Sequence, residues 1–245
     1  MKTCGVQLIL ALDVDTLESA KDFVDKLYPK IKIFKVGSHL FTAYGPKVIE
    51  MLHKKGAEAF LDLKYFDIPN TVAKAVAAAT RQKVKMLTLH ISGGVEMIQA
   101  AVFAAKAQAD AISVNRPLLI GVTILTSSLA KPKDVLALAK KGIANGLDGL
   151  VCSAGEAALI RNKIKKSFII ITPGIRPDYA ADDQKRTATV KQAIKAGSDF
   201  LVIGRPILKS KDPLKMTEEI LRDLSRFAGC HLSKFTGGVP YGAGN

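Results

Sequence analysis

The length and charge of the chain exclude several classes of protein. The chain has 245 residues, of which 48% are hydrophobic, and this suffices for a large core in a single domain. Lys and Arg number 36 against 22 Asp and Glu, and the resulting net charge of +14 favours acidic partners such as phosphorylated metabolites, nucleic acid or anionic membranes. No apolar run approaches the ~20 residues that span a membrane, so we expect no membrane partner.

Eight short apolar runs follow one another along the chain. They are rich in Val, Ile and Leu without strict alternation, which is typical of strands buried on both faces of a parallel sheet. The first run meets acidic residues at once, so we interpret it as a strand and not as a signal peptide. The runs cover residues 8–14, 33–37, 59–64, 86–91, 119–125, 149–154, 168–174 and 200–206.

Segments with helical patterning separate these runs. Thr16 is a candidate N-cap, and Gly56 and Gly197 are candidate C-terminal glycines. The clearest helices are predicted at residues 16–28, 45–56, 70–82 and 189–197.

Strand–helix alternation repeated eight times predicts an α/β fold, a single-domain (β/α)8 TIM barrel, over residues 1–228. An open doubly wound sheet is the alternative, but it would often carry a G-x-G-x-x-G motif after its first strand, where DVDTLES stands here. The Gly-rich segment 229–245 lacks periodicity, and we expect it to lie outside the barrel as a mobile tail.

Charged residues stand at the ends of the first three predicted strands. Asp13 closes the first, Lys35 lies in the second, and Asp62 and Lys64 end the third, with Asp67 in the next loop. Asp62 and Lys64 are two residues apart, so their side chains point to the same side of the strand. Since chemistry in a barrel occurs at the C-terminal ends of the strands, the cluster predicts a catalytic acid–base array.

Each of these charges also has a structural interpretation. Asp13 and Asp67 could cap a loop or a helix, and Lys35 and Lys64 could extend to solvent. Their concentration at one rim favours catalysis, because each carboxylate keeps its neighbouring ammonium protonated. In that interpretation Lys64 is a proton donor beside the negative charge of Asp62.

The last two runs predict a phosphate site. The sequences TPGIRP at 172–177 and IGRP at 203–206 place glycines and arginines at the ends of the seventh and eighth strands, where barrel enzymes often bind phosphate. Gly204 permits close approach of a ligand, Arg205 can bind phosphate through two N–H groups, and Pro206 favours a helix start.

Five stretches stand in order along the chain: KVG at 35–37, D-x-K-x-x-D-I-P-N-T at 62–71, TPGIRP at 172–177, DQKR at 183–186 and VIGRP at 202–206. With these stretches the chain resembles the orotidine 5′-phosphate decarboxylase family, with a match from about residue 6 to about residue 225. The resemblance implies removal of CO2 from orotidine 5′-phosphate to give uridine 5′-phosphate in pyrimidine biosynthesis. It also implies that the reaction needs no cofactor and no metal, and that the enzyme is a homodimer with active sites at the subunit interface.

The resemblance assigns roles to particular residues. Lys35, Asp62 and Lys64 match the catalytic array of the family, and Asp67 matches the member contributed by the partner subunit. Asp13 matches the residue that binds a ribose hydroxyl, Lys35 is a further substrate-binding position, and Thr71 matches a residue that reaches across the interface. Thr126 and Ser127 match the segment that binds the pyrimidine edge, and Gln184 matches the residue between base and phosphate. Arg176 falls at a family binding position, and Gly204 and Arg205 match the phosphate site.

Two other functions remain as alternatives. A magnesium-dependent sugar-phosphate decarboxylase or aldolase of the same superfamily would typically carry an acidic ligand at the position of Lys35, whose charge would repel the metal. A basic nucleic-acid-binding module is favoured by net charge. However, aromatic residues make up only 6%, Trp is missing, and no block of five like charges occurs, so we expect no nucleic-acid partner.

The cysteines and one histidine are assigned no catalytic role. Cys4, Cys152 and Cys230 form no C-x-x-C motif, which argues against a zinc site or a disulfide framework and predicts a reducing, cytoplasmic location. His90, in LHISGG, is expected to be a loop histidine with a structural hydrogen bond.

Overall fold

Eight parallel strands close into a barrel in the computed structural model, which describes residues 5–125, 131–176 and 187–228. Each predicted run overlaps one barrel strand, so the predicted fold is confirmed. In chain order the strands are β1 (Gln7–Ala11), β2 (Ile33–Gly37), β3 (Glu58–Tyr65), β4 (Met86–His90), β5 (Leu118–Val122), β6 (Gly149–Val151), β7 (Ile169–Thr172), β8 (Ile175–Arg176), β9 (Ala188–Thr189) and β10 (Phe200–Ile203).

The barrel order is β1-β10-β7-β6-β5-β4-β3-β2, and the pairing of β1 with β10 closes the ring. The short strands β8 and β9 pair with each other in a separate parallel sheet beyond the end of β7, which the sequence analysis did not predict. The predicted strand at 200–206 ends earlier, at Ile203, because the following residues turn into a helix.

The helices pack around this barrel. Thr16 caps the first of them, since its hydroxyl accepts a hydrogen bond from the backbone N–H of Ser19 at 3.1 Å. In chain order the helices are α1 (Leu17–Leu27), α2 (Ser38–Tyr44), α3 (Pro46–Lys54), α4 (Pro69–Arg81), α5 (Gly94–Ala111), α6 (Pro132–Ala144), α7 (Ala154–Lys163), α8 (Val190–Lys195), α9 (Arg205–Leu208) and α10 (Pro213–Ala228).

The four helices with predicted bounds correspond to α1, α3, α4 and α8. No bounds are predicted for the stretches that form α2, α5, α6, α7, α9 and α10. Gly45 separates α2 from α3 with a φ of 57°, a conformation that glycine adopts without the steric cost of a Cβ. Among the described helices, none combines the length and the hydrophobicity needed to cross a lipid bilayer.

Side chains of the strands alternate between two cores. The inner core fills the barrel, and the outer core lies between the strands and the helices. In β3, Phe60 belongs to the inner core and Leu61 to the outer core, so Asp62 continues the inner face towards the C-terminal rim. The buried inner-core residues are Ile9, Ala11, Ile33, Phe60, Met86, Ile120, Ile171, Phe200 and Val202.

Charged residues at the N-terminal end of the barrel are structural. Arg116 forms a two-pronged ion pair with Asp148 at 2.7 Å, and Asp148 also accepts the backbone N–H of Leu119 at 2.8 Å. Arg161 pairs with Asp199 through one guanidinium nitrogen, and Asp199 accepts the backbone N–H of Ile170 at 2.7 Å. Both carboxylates hold the start of a strand, and this end of a barrel carries stability and not chemistry.

Candidate active site

Four charged side chains meet at the C-terminal rim, at the ends of β1, β2 and β3. Lys35 Nζ lies 3.2 Å from Asp13 Oδ1 and 3.6 Å from Asp62 Oδ2. Lys64 Nζ lies 2.9 Å from both carboxylate oxygens of Asp62. The structure thus brings four of the predicted residues together in a chain whose charges alternate in sign.

The inner members of this array are shielded from water and the outer members are not. The side chains of Lys35 and Asp62 are each 12% exposed, against 36% for Lys64 and 59% for Asp13. Ion pairs withdrawn from water are screened less than pairs at the surface, so the Lys35–Asp62–Lys64 contacts are the strong part of the array.

The carboxyl of Asp62 has a lowered pKa. Burial by itself would raise it, but the positive charges of Lys35 and Lys64, together with hydrogen bonds from Lys64 and Thr88, outweigh burial. Asp62 is therefore a fixed negative charge at neutral pH, in direct contact with the Lys64 ammonium.

A bulge near the end of β3 places Lys64. The pairing with β4 is regular up to Leu61 and Leu87, but Tyr65 then faces Leu89, so β3 contains two extra residues in between. Lys64 itself has a φ of 51°, in the left-handed region that non-glycine residues rarely adopt. Such strain costs roughly 1–3 kcal/mol and is common at functional sites.

His90 lies closer to the array than the sequence analysis expected. It is the last residue of β4 and not a loop residue, and its ring meets the edge of Phe66 at a centroid distance of 5.7 Å. Burial and the nearby charge of Lys64 lower its pKa, while Asp62 opposes them. The sequence contained a pattern that predicts this position of His90. In MLTLH, Leu alternates with Thr88 and His90, and residues two apart on a strand point to the same side, here into the barrel.

Asp67 and Thr71 do not reach the array within one chain. Both are exposed, and Asp67 Oδ1 accepts the backbone N–H of Ile68 at 2.7 Å, just before α4 begins at Pro69. Phe66 and Ile68, on either side of Asp67, are 62% and 66% exposed. Asp67 is therefore flanked by exposed apolar surface.

Barrel closure brings Gly204, one of the predicted phosphate residues, beside the array. A Cβ on Gly204 would lie 3.4 Å from Asp13 Oδ2 and 3.4 Å from the Cβ of Ala11, so a side chain here would fill space next to Asp13. Arg205 is the first residue of α9, with Pro206 in its first turn, as the sequence predicts.

Arg176 lies on β8, is 7% exposed and donates a hydrogen bond to the carbonyl of Ile175 at 3.0 Å. Thr126, Ser127 and Gln184 lie outside the described residues, as do Cys4, Cys230 and the segment 229–245. Within the described ranges, no group of three or more His, Cys, Asp or Glu side chains is arranged to hold a metal ion.

A closed parallel barrel whose inner face continues into alternating charges at the C-terminal rim defines a (β/α)8-barrel enzyme. The comparison with family models then identifies the enzyme family. Residues 6–220 match the model of the Orotidine 5′-phosphate decarboxylase / HUMPS family, and the chain belongs to that family.

Relatives of known name support this membership. The chain is 46% identical over 231 residues to the orotidine 5′-phosphate decarboxylase of Trichlorobacter lovleyi, a match that covers 89% of this chain and 95% of the relative. It is 44% identical over 232 residues to that of Saccharophagus degradans, which covers 90% and 95%. The crystal structure of orotidine 5′-phosphate decarboxylase from Lactobacillus acidophilus superposes with a TM-score of 0.79 at 34% identity, covering 89% of this chain and 99% of that one.

Proposed function

We propose that this chain decarboxylates orotidine 5′-phosphate to uridine 5′-phosphate in pyrimidine biosynthesis, with no metal or cofactor. The observation that carries the proposal is the position of the Lys64 ammonium, 2.9 Å from both oxygens of the shielded Asp62 carboxylate. The relatives named above support the choice of substrate at 44% and 46% identity.

Lys64 has two roles in this mechanism. When the bond between C6 and the carboxyl carbon breaks, CO2 leaves and the electron pair remains on C6 of the pyrimidine. The ammonium of Lys64 stabilises that charge and then gives its proton to C6, which forms the new C–H bond. The neutral amine left on Lys64 regains a proton from water before the next cycle.

Asp62 lies where the departing carboxylate would stand in this mechanism. Because its pKa is lowered, Asp62 is ionised when the substrate binds, and its charge repels the substrate carboxylate. The same charge holds the Lys64 ammonium in place for donation of its proton. Loss of CO2 removes the repulsion and leaves the ammonium in place.

The rest of the site binds the parts of the substrate that do not react. Asp13 and Lys35 bind ribose hydroxyls, and the backbone of Gly204 with the guanidinium of Arg205 binds the phosphate. Binding energy from a remote phosphate can lower the barrier at C6 when it helps to close the site. The remaining substrate positions in the proposal are Arg176 and, outside the described residues, Thr126, Ser127 and Gln184.

The proposal includes a homodimer in which each site borrows Asp67 and Thr71 from the partner. Both residues are exposed within one chain, and the adjoining Phe66 and Ile68 supply apolar surface that a second copy would cover.

A cytoplasmic location is also part of the proposal, and the free, buried thiol of Cys152 is compatible with a reducing compartment.

The geometry favours this reaction over a magnesium-dependent one. The Lys35 ammonium lies within 3.6 Å of Asp62 and 3.2 Å of Asp13, so each of these carboxylates already has a cationic partner. A divalent cation bound to the same oxygens would meet strong repulsion from Lys35.

The test is a turnover assay with purified protein. The loss of orotidylate absorbance is followed with and without excess EDTA, and Lys64→Ala serves as the control for contaminating activity. We expect equal rates with and without chelator. Activity that EDTA removes would favour the magnesium-dependent alternative, and a lack of turnover combined with tight, salt-sensitive RNA binding would favour a nucleic-acid module.

A further inference from the structure

A single side chain of β4 supports the bulge in β3. The two extra residues of β3 lie between Leu61 and Tyr65, so Asp62, Leu63 and Lys64 together stand opposite Thr88. A bulge removes regular ladder hydrogen bonds, and the backbone groups left over require other partners.

The hydroxyl of Thr88 supplies that partner and also binds the array. Thr88 Oγ1 accepts the backbone N–H of Lys64 at 2.9 Å and donates its own proton to Asp62 Oδ1 at 2.9 Å. Thr88 is fully buried, and Asp62 is 12% exposed, so water competes little for these bonds. One hydroxyl therefore connects the strained backbone of Lys64 with the carboxylate that holds its ammonium.

We propose that Thr88 is a positioning residue for the decarboxylation, an inference that rests on the proposed function of Lys64 and Asp62. Its hydroxyl fixes the rotamer of Asp62, so that both carboxylate oxygens face Lys64 Nζ. It also keeps the backbone of Lys64 in the left-handed conformation that directs the side chain inward. Without the hydroxyl, the ammonium loses its defined position relative to C6, and the barrier to proton transfer rises.

Three variants separate the hydroxyl from the shape of the side chain. Thr88→Val keeps the branched shape and removes both hydrogen bonds, whereas Thr88→Ser keeps the hydroxyl. Thr80→Val is the matched control. Thr80 is equally buried, and its hydroxyl donates to the carbonyl of Val76 at 2.9 Å, near the end of α4 and away from the array.

For Thr88→Val we expect kcat to fall roughly 10- to 100-fold, the range of a lost hydrogen bond to a charged group, with KM within about 3-fold of wild type. KM is expected to change little because other residues make the contacts with the phosphate and the ribose. Thr88→Ser and Thr80→Val are expected to keep kcat within about 3-fold of wild type. An unchanged kcat in Thr88→Val, or a Thr88→Ser variant as defective as Thr88→Val, would overturn the inference.

A second measurement does not depend on turnover. Hydrogen exchange at the backbone N–H of Lys64, followed by NMR, is expected to be about 10-fold faster in Thr88→Val than in wild type, and unchanged in Thr88→Ser. Equal exchange in all three proteins would contradict the role of Thr88 even if the wild type proved inactive on orotidylate. A wild type without turnover but with the predicted exchange pattern would instead refute only the proposed function. If Thr88→Val does not fold, Thr88→Ala provides the same comparison.

Discussion

Lys64 combines a strained backbone with a strongly held side chain. Its φ of 51° is unfavourable for a residue with a Cβ, yet its ammonium has two contacts of 2.9 Å with one carboxylate. Charge-assisted hydrogen bonds are about twice as strong as neutral ones, so they can offset this strain. The cost in backbone energy gives a defined direction to the one group that the proposed mechanism uses as a proton donor.

The first residue-scale prediction concerns Lys64 itself. Lys64→Ala is expected to lower kcat by at least ~10³-fold, because it removes both the charge that stabilises the carbanion and the proton donor. The barrel should remain folded, as the lysine is partly exposed, and circular dichroism checks this. A folded variant with a near-normal kcat would refute the proposed role.

A second prediction concerns the pKa of His90. Burial and then the charge of Lys64 lower this pKa, so removal of the ammonium in Lys64→Ala should raise it. NMR titration of the imidazole in wild type and variant measures the shift, with the exposed His39 as the internal control. An identical titration of His90 in both proteins would show that the ammonium does not lie near β4.

At the scale of secondary-structure elements, the site is a continuation of the barrel core. Inward-facing positions recur every second residue, so Ile33 is followed by Lys35 and Phe60 by Asp62. The inner core anchors these strands, which gives the charges at their ends little freedom to move. That arrangement allowed the sequence to predict that Asp62 faces inward, because the period of a strand is a local property. The Lys64 side chain reaches the same side through the bulge and its left-handed backbone.

The element-scale prediction concerns the junction of β10 and α9. Arg205→Ala is expected to raise KM for orotidylate roughly 10- to 100-fold with a smaller effect on kcat, because a guanidinium binds phosphate through two charge-assisted hydrogen bonds. Arg205→Lys keeps the positive charge but loses the paired N–H donors of the guanidinium, and it should give an intermediate KM. Steady-state kinetics measure both, and an unchanged KM in Arg205→Ala would argue against the phosphate assignment.

For the molecule as a whole, the two ends of the barrel use charge differently. At the N-terminal end, Arg116 and Arg161 each pair with one carboxylate. Each of these carboxylates also accepts a backbone N–H near the start of a strand. At the C-terminal end the charges form an open chain towards the mouth, and Asp67 stands apart on an exposed apolar surface. In the proposed homodimer, a second copy would cover this surface and its Asp67 would extend the array.

The whole-molecule prediction tests this completion. Lys64→Ala and Asp67→Ala homodimers are each expected to be nearly inactive. After subunit exchange in an equimolar mixture, activity should recover to about a quarter of wild type, because random pairing gives half heterodimers with one intact site each. Exchange is verified with differently tagged chains. No recovery despite verified exchange would mean that each site is built from a single chain.

The sequence by itself determined the barrel, the rim at which the charged side chains meet and the identity of all four charged residues in the array. Strand spacing, two-residue alternation and helix caps are local properties, and local chemistry specifies them. Helix α2 was missed because the preceding run and the glycine at 45 leave only seven residues, too few for a clear periodic pattern.

Only the tertiary structure decided how the strands are staggered. Four features of the site each involve residues from different strands. They are the contact of Lys35 with Asp62, the bulge opposite Thr88, the approach of His90 to the array and the position of Gly204 beside Asp13. Their distances depend on register and on closure of the ring between β1 and β10. The packing of the whole barrel sets both quantities, so no local pattern along the chain encodes them.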